Sequence, residues 1–489
     1  MGRGHYIHGR WIQGGGAEMT SLDPSTGRVI WSGPGAGKRE MDEAVHAAGL
    51  ALEPWAALPL EERIRFLEAF ASAAAEERAE LAETISLETG KPRWESLEEV
   101  NAVIGKVALS VRAFQERRSP VRIDISGIKG AVHYRPVGVL AVLGPFNMPG
   151  HIPNGHIVPA LLSGNTVVYK PSRFVPLFSE KYIALWEASG IPAGVINLVQ
   201  CGREAGARLV DHPDVDGLLF TGSYETGRKL HEAFAGRPEK ILALEMGGNN
   251  PLVVSGVSDP DAAVVLTILS AFITAGQRCT CARRLIVERG GEGDGFIERL
   301  RAAMRGIRTG PYGESPEPFY GPVISKEAAD RLMTLQEGLI RDGAKPVVRM
   351  EPDTSAHALL RPGLLDVTEV EGRPDSEWFG PLLQVIRVPD FDAALEEAKE
   401  TSYGLAAGLL SDSRSLWEKF SSRVRAGHMV WNRQTTGASG RLPFGGLGRS
   451  GNHRPSGYFA VDYCSDPVAC LEMENMKAPA ALPPGLENI

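Results

Sequence analysis

The chain has 489 residues, 43% of them hydrophobic and 23% charged, so a sizeable core is possible and wholesale disorder is excluded. The formal net charge of −8 excludes a domain-wide basic surface, so we expect neither a nucleic-acid nor a membrane partner. Five cysteines in so long a chain exclude a disulfide framework.

The N-terminal part is predicted to be mainly helical. Short β-like pieces occupy 5–31. Three longer segments, 39–53, 59–88 and 94–117, carry Ala, Leu, Ile and Val at three- and four-residue spacing, which is typical of helices that bury one face.

The middle of the chain alternates apolar strands with helices. Predicted strands lie at 137–143, 166–170, 195–199, 217–220 and 241–245, and predicted helices at 154–164, 178–189, 203–212 and 224–236. A second stretch has helices at 260–275, 294–305, 326–342 and 391–400, and strands at 283–288 and 383–387. This alternation predicts βαβ units, and hence two α/β parts with parallel sheets covered on both faces.

The chain ends carry no sign of another compartment. The first residues have no apolar signal-peptide core, and the longest apolar run, 262–276, is too short to cross a bilayer. A cytoplasmic location is therefore expected. A strand is predicted after residue 460, followed by an irregular Pro-rich tail.

Two glycine-rich segments partly match phosphate-binding motifs. The segment 34–38 lacks the required first glycine and Arg39 follows its lysine, so we interpret it as a turn. No G-x-G-x-x-G motif follows an early strand. Gly222, Ser223, Tyr224, Glu225, Thr226 and Gly227 do follow a strand and open a helix, whose free N–H groups suit a pyrophosphate, although many ordinary strand–helix turns look alike.

Asn147 and Glu245 each follow an apolar strand, at the end where α/β sheets bind ligands. The Asn147 amide could donate to a developing oxyanion, or it could simply satisfy its own turn. A carboxylate beside the Gly-Gly turn after Glu245 should be partly desolvated, which moves its pKa towards general-base range; the alternative is a solvated strand end.

Cys279 and Cys281 lie close together without forming a metal signature. No second pair stands at metal-ligand spacing, so no metal site is predicted. Cys279, beside Arg278, could be a nucleophile with a lowered pKa, or an ordinary buried thiol.

The order of these features resembles the aldehyde dehydrogenase superfamily over nearly the whole chain. The most specific pair is LEMGG at Glu245 with GQRC ending at Cys279, a separation of 34 residues. EWFGP at Glu377 and PFGG at 443–446 also match. Longer blocks such as SAFITAGQRCTCARRL and SGNHRPS are similar to members that oxidise N-succinylglutamate 5-semialdehyde in bacterial arginine catabolism.

This resemblance implies a reaction and the residues for it. Cys279 would attack an aldehyde to give a thiohemiacetal, whose oxyanion the Asn147 amide and the Cys279 backbone N–H would hold. Hydride transfer to a nicotinamide would leave a thioester, and Glu245 would activate water to hydrolyse it. Cys281 does not match the nucleophile position and is interpreted as structural.

The resemblance also implies the cofactor contacts. Lys170 would bind the adenosine ribose, the segment from Gly222 to Gly227 the pyrophosphate side, and Glu377 the nicotinamide ribose, with Phe379 packed near the nicotinamide. NAD is the expected cofactor. Arg173 stands where many NAD-using members have a ribose-binding Glu, and a cation there tolerates a 2′-phosphate, so NADP is not excluded.

The implied fold is α/β, with two parallel-sheet α/β domains and a small oligomerisation arm. The dinucleotide-binding domain would take 1–118 and 138–246, and the catalytic domain 247–445. The arm and C-terminal tail would take 119–137 and 460–489. Arm pairing would make a homodimer or a dimer of dimers.

Substrate and alternative functions stay open at this point. Arg278, His151 and Arg441 are candidates to bind a dianionic aldehyde, although each also reads as a solvated or structural residue. One alternative is acyl transfer to coenzyme A, and another is oxidation of a different semialdehyde. Members that use coenzyme A generally lack the base, and Glu245 is present. A silent structural relative and a plain thioesterase are alternatives of another class.

Overall fold

The computed structural model describes residues 2–125, 128–477 and 481–486. The N-terminal part contains strands and then long helices, as predicted. Its elements are β1 (His5–Ile7), β2 (Arg10–Ile12), β3 (Glu18–Leu22), β4 (Val29–Pro34), α1 (Lys38–Ala57), α2 (Leu60–Glu76), α3 (Arg78–Thr89), α4 (Arg93–Arg117), β5 (Val121–Ile125) and β6 (Ile128–Pro136).

One predicted helix is in fact two. The segment 59–88 divides at Glu77 into α2 and α3. No Gly or Pro marks this break, which lets α2 and α3 each pack against α4. The expectation of one helix was therefore wrong, because packing and not local sequence ends α2.

The first α/β part follows the predicted alternation. Its elements are β7 (Val139–Leu143), α5 (His151–Leu162), β8 (Thr166–Lys170), α6 (Pro176–Ala188), β9 (Ile196–Leu198), α7 (Arg203–Asp211), β10 (Gly217–Gly222), α8 (Tyr224–Phe234) and β11 (Ile241–Met246). The strands of this part join β1 and β2 in a seven-stranded sheet with the order β11-β10-β7-β8-β9-β1-β2. Strand β1 runs antiparallel to both of its neighbours, β9 and β2. Apolar clusters cover both faces of this sheet. The strand order reverses at β7, so the crevice beside the carboxyl ends of β7 and β10 is the expected ligand site.

The second α/β part is richer in strands than predicted. Its elements are β12 (Asn250–Val254), α9 (Pro260–Phe272), β13 (Ala282–Glu288), α10 (Gly291–Met304), α11 (Lys326–Arg341), β14 (Lys345–Val348), β15 (Glu351–Pro352), β16 (Leu360–Arg361), β17 (Gly363–Asp366), β18 (Leu382–Val388), α12 (Phe391–Lys399), β19 (Ala406–Leu410), α13 (Arg414–Arg423), β20 (His428–Trp431), β21 (Pro443–Phe444) and β22 (Ser456–Gly457). The main sheet has the order β14-β17-β18-β13-β12-β19-β20 and is parallel apart from β14.

A third sheet joins distant parts of the chain. The C-terminal strand β23 (Ser465–Glu472) pairs antiparallel with β6, and β6 pairs with β5. The predicted strand after residue 460 is thus present. The predicted tail includes 478–480 and 487–489, which lie outside the described residues. Among the described helices, none is both long and apolar enough to cross a membrane.

The two large sheets meet end to end. The loops after β7 and β11 contact the loops that precede β13 and β18. Two hydrogen bonds across this boundary fix the arrangement: Asn147 reaches the carbonyl of Gln277, and the N–H of Gly248 reaches Glu377. The sequence candidates from both halves therefore come together here.

Candidate active site

The loop that carries Cys279 begins with a left-handed turn. Helix α9 ends at Phe272, and Thr274 and Ala275 follow with φ of 57° and 53°. Non-glycine residues adopt such angles at a cost of about 1–3 kcal/mol, so neighbouring contacts must enforce them. The helix predicted over 260–275 is therefore too long, and the turn brings Cys279 to the amino end of β13.

A buried ion pair enforces this turn. The Thr274 hydroxyl donates to Oε1 of Glu95, and Nε of Arg278 donates to the Thr274 hydroxyl at 2.8 Å. Nη2 of Arg278 lies 2.9 Å from the same Glu95 oxygen, and the Glu95 side chain is only 2% exposed. Because the pair is shielded from water, it ties the turn firmly to α4.

The amide of Asn250 fixes the loop from the opposite side. Its Nδ2 donates to the carbonyls of Cys279 and Cys281, at 2.7 Å and 2.9 Å. Its Oδ1 accepts the N–H of Ala406 at 2.9 Å. One buried side chain at the start of β12 thus orients the peptide groups around Cys279.

Asn147 lies on the loop after β7, beside the nucleophile loop. Its Nδ2 donates to the carbonyl of Gln277 at 2.8 Å, and its own carbonyl accepts from Nζ of Lys91 at 3.0 Å. Lys91 also pairs with Glu99, whose Oε1 accepts the N–H groups of Gly150 and His151. An amide has two N–H donors, and the second has no partner among the described residues, so it is available to a ligand.

Glu245 occupies the carboxyl end of β11 and is 7% exposed. Its Oε2 accepts the Ser456 hydroxyl at 3.0 Å. Burial raises the pKa of Glu245 to about 7, although Ser456 and Lys106 act in the opposite direction. A carboxyl group with this pKa can exchange a proton at neutral pH, as a general base must.

The Cys279 thiol is half-buried and resists ionisation. Burial raises its pKa well above the usual value, the Glu245 and Glu377 carboxylates add to that effect, and Arg283 opposes it. The sequence expectation of a lowered pKa beside Arg278 is therefore wrong, because Glu95 already balances that guanidinium. Cys281 is fully buried, as expected of a structural thiol.

The candidate cofactor residues surround the same crevice. Lys170 ends β8, and its ammonium donates to the carbonyl of Pro171 at 2.9 Å, which leaves two of its three donors without a partner among the described residues. Glu377 accepts the N–H of Gly248 at 3.3 Å, and a Cβ on Gly247 would come within 1.9 Å of its carboxylate. Burial raises the pKa of Glu377 to about 7.

The glycine-rich segment and Phe379 complete this side. β10 ends at Gly222, and Ser223 caps α8 by accepting the N–H of Thr226 at 3.4 Å. Tyr224, Glu225 and Thr226 form the first turn of α8, and Gly227 lets that helix approach β11. Phe379 packs edge-on against Phe146, next to Asn147, with ring centroids 5.9 Å apart. The N-terminus of α8 fits a pyrophosphate, and the Lys170 ammonium and Glu377 carboxylate are groups that can bind ribose hydroxyls.

The three substrate candidates have different surroundings. Arg278 is paired with Glu95, as described above. His151 has a buried Nδ1 with no hydrogen-bond partner, and burial lowers its pKa to about 4, so it is neutral. Arg441 is exposed, and its guanidinium forms no ion pair within the described part of the chain.

Sequence reasoning missed the charged face of α4. Glu95 and Glu99 stand four residues apart and Lys106 seven further on, so they share one face of the helix, and all three are buried. Charged residues of an amphipathic helix normally face water, so three of them aligned on one face of α4 were the sequence signal for a buried charged site. Asn250 and Ser456 were missed because nothing local distinguishes them from turn residues.

One further cluster lies elsewhere. Within the described residues, His133, Cys470 and Glu472 bring three potential metal-ligand atoms within 4.8 Å of one another. They belong to β6 and β23 of the third sheet, not to the crevice around Cys279.

Comparison with known proteins agrees with this geometry. A model of the aldehyde dehydrogenase family matches residues 11–468. N-succinylglutamate 5-semialdehyde dehydrogenase of Ectopseudomonas mendocina (strain ymp) is 52% identical over 482 residues, covering 99% of each chain. The protein of the same name from Hahella chejuensis (strain KCTC 2396) is 49% identical, covering 98% of each chain.

A solved structure shares the fold as well. The NADP-dependent glyceraldehyde-3-phosphate dehydrogenase from Bacillus halodurans C-125, complexed with NADP, superimposes with a TM-score of 0.88. It is 26% identical, and the match covers 96% of this chain and 99% of that one. The family model matches nearly the whole chain, and the candidate site lies where the two large sheets meet. This chain therefore belongs to the aldehyde dehydrogenase family.

Proposed function

We propose that this protein oxidises N-succinylglutamate 5-semialdehyde to N-succinylglutamate with a nicotinamide cofactor. The observation that carries the proposal is near-full-length identity of 52% and 49% to two proteins of that name. The convergence of Cys279, Asn147 and Glu245 at one crevice supports it. Neither a structural nor a thioesterase role uses the groups found on the cofactor side.

The first chemical step belongs to Cys279 and Asn147. Because the Cys279 thiol is neutral at rest, a base must take its proton as sulfur adds to the aldehyde carbon. Glu245 and Glu377 both have a suitable pKa, and we assign this role to Glu245 because its carboxylate acts more strongly on the thiol. The free N–H of Asn147 donates to the oxyanion that develops. A nicotinamide held by Glu377 and Phe379 would supply the hydride acceptor for oxidation of this adduct to a thioester.

The second step is hydrolysis of the thioester. After Glu245 has released the thiol proton to solvent, it takes a proton from water, and the hydroxide equivalent attacks the thioester carbonyl. The acid is released, and Cys279 leaves as a thiolate that takes up the proton held by Glu245. The bond from Ser456 keeps the carboxylate oriented during this step. Presence of this base favours water over coenzyme A as the acyl acceptor.

We assign the cofactor groups by the same argument. Lys170 and Glu377 would hold the two riboses, the segment from Gly222 to Gly227 the pyrophosphate, and Phe379 the nicotinamide face. NAD is proposed as the preferred cofactor. Arg173 is exposed near Lys170, and its positive charge helps lower the pKa of that lysine, so a 2′-phosphate would find a cation there.

The substrate carries two carboxylates, and Arg441 is the candidate with a free positive charge. A charge-assisted bond contributes about 1.5–3 kcal/mol, so Arg441→Met should raise KM for the dianionic aldehyde by about tenfold and spare propanal. Arg341→Met, at the exposed end of α11, is the matched control. Equal effects of Arg441→Met on both aldehydes would contradict the assignment. Arg278 and His151 are proposed to line the same pocket.

The domain roles and the oligomer are also proposals. We propose that 1–118 with 138–246 bind the dinucleotide, that 247–445 carry the nucleophile, and that 119–137 with 460–489 pair subunits. The third sheet exposes an apolar face, with Ile123 54% and Leu471 69% exposed. A homodimer or a dimer of dimers would cover this face.

The deciding experiment follows NAD(P)H absorbance with a panel of aldehydes. We expect N-succinylglutamate semialdehyde to be used at least about a hundredfold more efficiently than propanal, in kcat/KM, a difference of about 2.7 kcal/mol in transition-state binding. Both cofactors are compared, with and without coenzyme A. Equal kcat/KM for propanal would overturn the proposed substrate, and a requirement for coenzyme A would overturn the proposal that water is the acyl acceptor.

A further inference from the structure

Lys106 is a buried cation without a counter-ion. It lies on α4 and is 4% exposed, and its Nζ donates to the carbonyl of Gly457 at 2.8 Å. No carboxylate in the described part of the chain lies within ion-pair distance of this ammonium. Lys91, also buried, is paired directly with Glu99. Burying an unpaired charge is expensive, so Lys106 calls for an explanation beyond packing.

The hydrogen bonds of Lys106 lead to Glu245. Gly457 follows Ser456, and the Ser456 hydroxyl lies 3.0 Å from Oε2 of Glu245 and 3.0 Å from the carbonyl of Phe444. A hydroxyl has one proton to donate, so Ser456 can serve the carboxylate when Glu245 is ionised and Phe444 when Glu245 is protonated. Lys106 holds Gly457, the other residue of β22, and so helps to fix the position of the Ser456 hydroxyl.

The groups around the pair come from several elements. Glu245 faces Lys106 on α4, Ser456 on β22, Cys279 on the nucleophile loop and Tyr463 near β23. Lys106 in turn faces His151 and His156 on α5, and Cys464. Both histidines are neutral because burial lowers the pKa of each, to about 4 and about 3. Burial also lowers the pKa of Lys106, to about 8, which leaves it protonated at pH 7, so Lys106 supplies the positive charge among these neighbours.

We propose that Lys106 is a positioning residue for the general base: its ammonium anchors β22 at Gly457 and favours the ionised, water-activating form of Glu245. The proposal rests on the proposed function of Glu245. Burial alone would keep this carboxyl protonated, and a nearby buried cation opposes that effect. The protein thus obtains a base that is desolvated and reactive, yet ionised near neutral pH.

The test is an infrared pH titration of the Glu245 carboxylic-acid band, identified by its loss in Glu245→Gln. In the unsubstituted protein the band should disappear with a midpoint near pH 7. Without the cation the acid form is favoured, so in Lys106→Met the midpoint should rise by at least about one pH unit. Lys106→Arg should return it most of the way.

A matched control separates charge from packing. Arg63 is also a buried cation that donates only to backbone carbonyls, those of Ala56, Leu58 and Leu162. Arg63→Met should leave the midpoint unchanged. An unshifted midpoint in folded Lys106→Met, or an equal shift in Arg63→Met, would overturn the proposal. If Lys106→Met does not fold, Lys106→Gln, which keeps a donor without the charge, decides in the same way.

Kinetics distinguish this proposal from the proposed function. In Lys106→Met the acid limb of the kcat profile should move upward with the infrared midpoint. A shifted infrared midpoint in a protein that oxidises no aldehyde would overturn the proposed function and retain the effect of Lys106 on Glu245. If Lys106→Met oxidises the aldehyde with an unchanged pH profile and an unshifted infrared midpoint, only the role proposed for Lys106 is overturned.

Discussion

The Cys279 thiol, the proposed nucleophile, lies in surroundings that favour its neutral form. Burial and the carboxylates of Glu245 and Glu377 all oppose the thiolate, and no fixed cation pairs directly with its sulfur in the described part of the chain. The site therefore depends on proton transfer during attack. Such a thiol is also protected from unproductive reactions, since the thiolate is the reactive species.

Replacing either cysteine separates nucleophile from structure. We expect Cys279→Ala to lower kcat by more than about a thousandfold, because no other group can form the thioester. Cys281→Ala should retain most activity and lower stability by about 1 kcal/mol, the effect of a small cavity. Steady-state kinetics and urea denaturation measure the two effects. If Cys281→Ala were inactive and Cys279→Ala active, Cys281 would be the nucleophile and Cys279 the structural thiol.

The pH dependence of turnover reports Glu245. Its pKa is raised to about 7, and only the ionised form accepts a proton, so kcat should fall about tenfold per pH unit below that value. Glu245→Gln should lose this limb and reduce turnover by about a hundredfold or more. If a burst of NADH survives in this variant, Glu245 acts in hydrolysis. Equal loss of burst and turnover would place its main role in thiol activation.

At the scale of elements, α4 organises the site without contributing a reacting atom. Glu95 holds the left-handed turn before Cys279, and Glu99 with Lys91 holds the loop that carries Asn147. Helix α4 thus couples the oxyanion loop to the nucleophile loop. A rigid helix suits this task because its side chains keep their spacing.

Removal of the Glu95 charge should loosen the nucleophile turn. Glu95→Gln leaves the Arg278 guanidinium buried without its partner, which we expect to cost about 3 kcal/mol of unfolding free energy. Strain at Thr274 and Ala275 would then relax and kcat would fall for every aldehyde. Glu98→Gln, exposed on the same helix, is the control and should be neutral in urea denaturation and in kinetics. Unchanged stability in Glu95→Gln would contradict this account.

At the scale of the whole molecule, the third sheet presents an unpaired apolar face. Ile123, Gly130 and Leu471 align across its three strands, and a Cβ on Gly130 would press on the side chains of Ile123 and Ile125. Val121, Ile125 and Met473 extend the exposed apolar surface. A patch of this kind usually marks an interface.

Charge on this face should therefore dissociate subunits. We expect Ile123→Glu combined with Leu471→Glu to yield a smaller species in light scattering, because two carboxylates cannot be buried unpaired. Leu50→Glu, also an exposed apolar position but on α1, is the control and should keep the original mass. A monomeric unsubstituted protein, or an unchanged mass in the double variant, would refute pairing through this face.

The sequence by itself determined the alternation of apolar strands and helices, and with it the parallel sheets and the carboxyl-end location of Asn147, Lys170 and Glu245. These features follow from the hydrophobic periodicity of the sequence, which is a local property of the chain. It also carried the motifs around Cys279 and Glu377 that identify the family.

Only the tertiary structure decided the electrostatics of the site. The division of 59–88 into α2 and α3, the left-handed turn at Thr274, and the pairing of Arg278 with Glu95 all depend on contacts between distant segments. The raised pKa of Cys279 and the buried charge of Lys106 do too, because desolvation and neighbouring charges are set by what packs around a group and not by its neighbours in sequence.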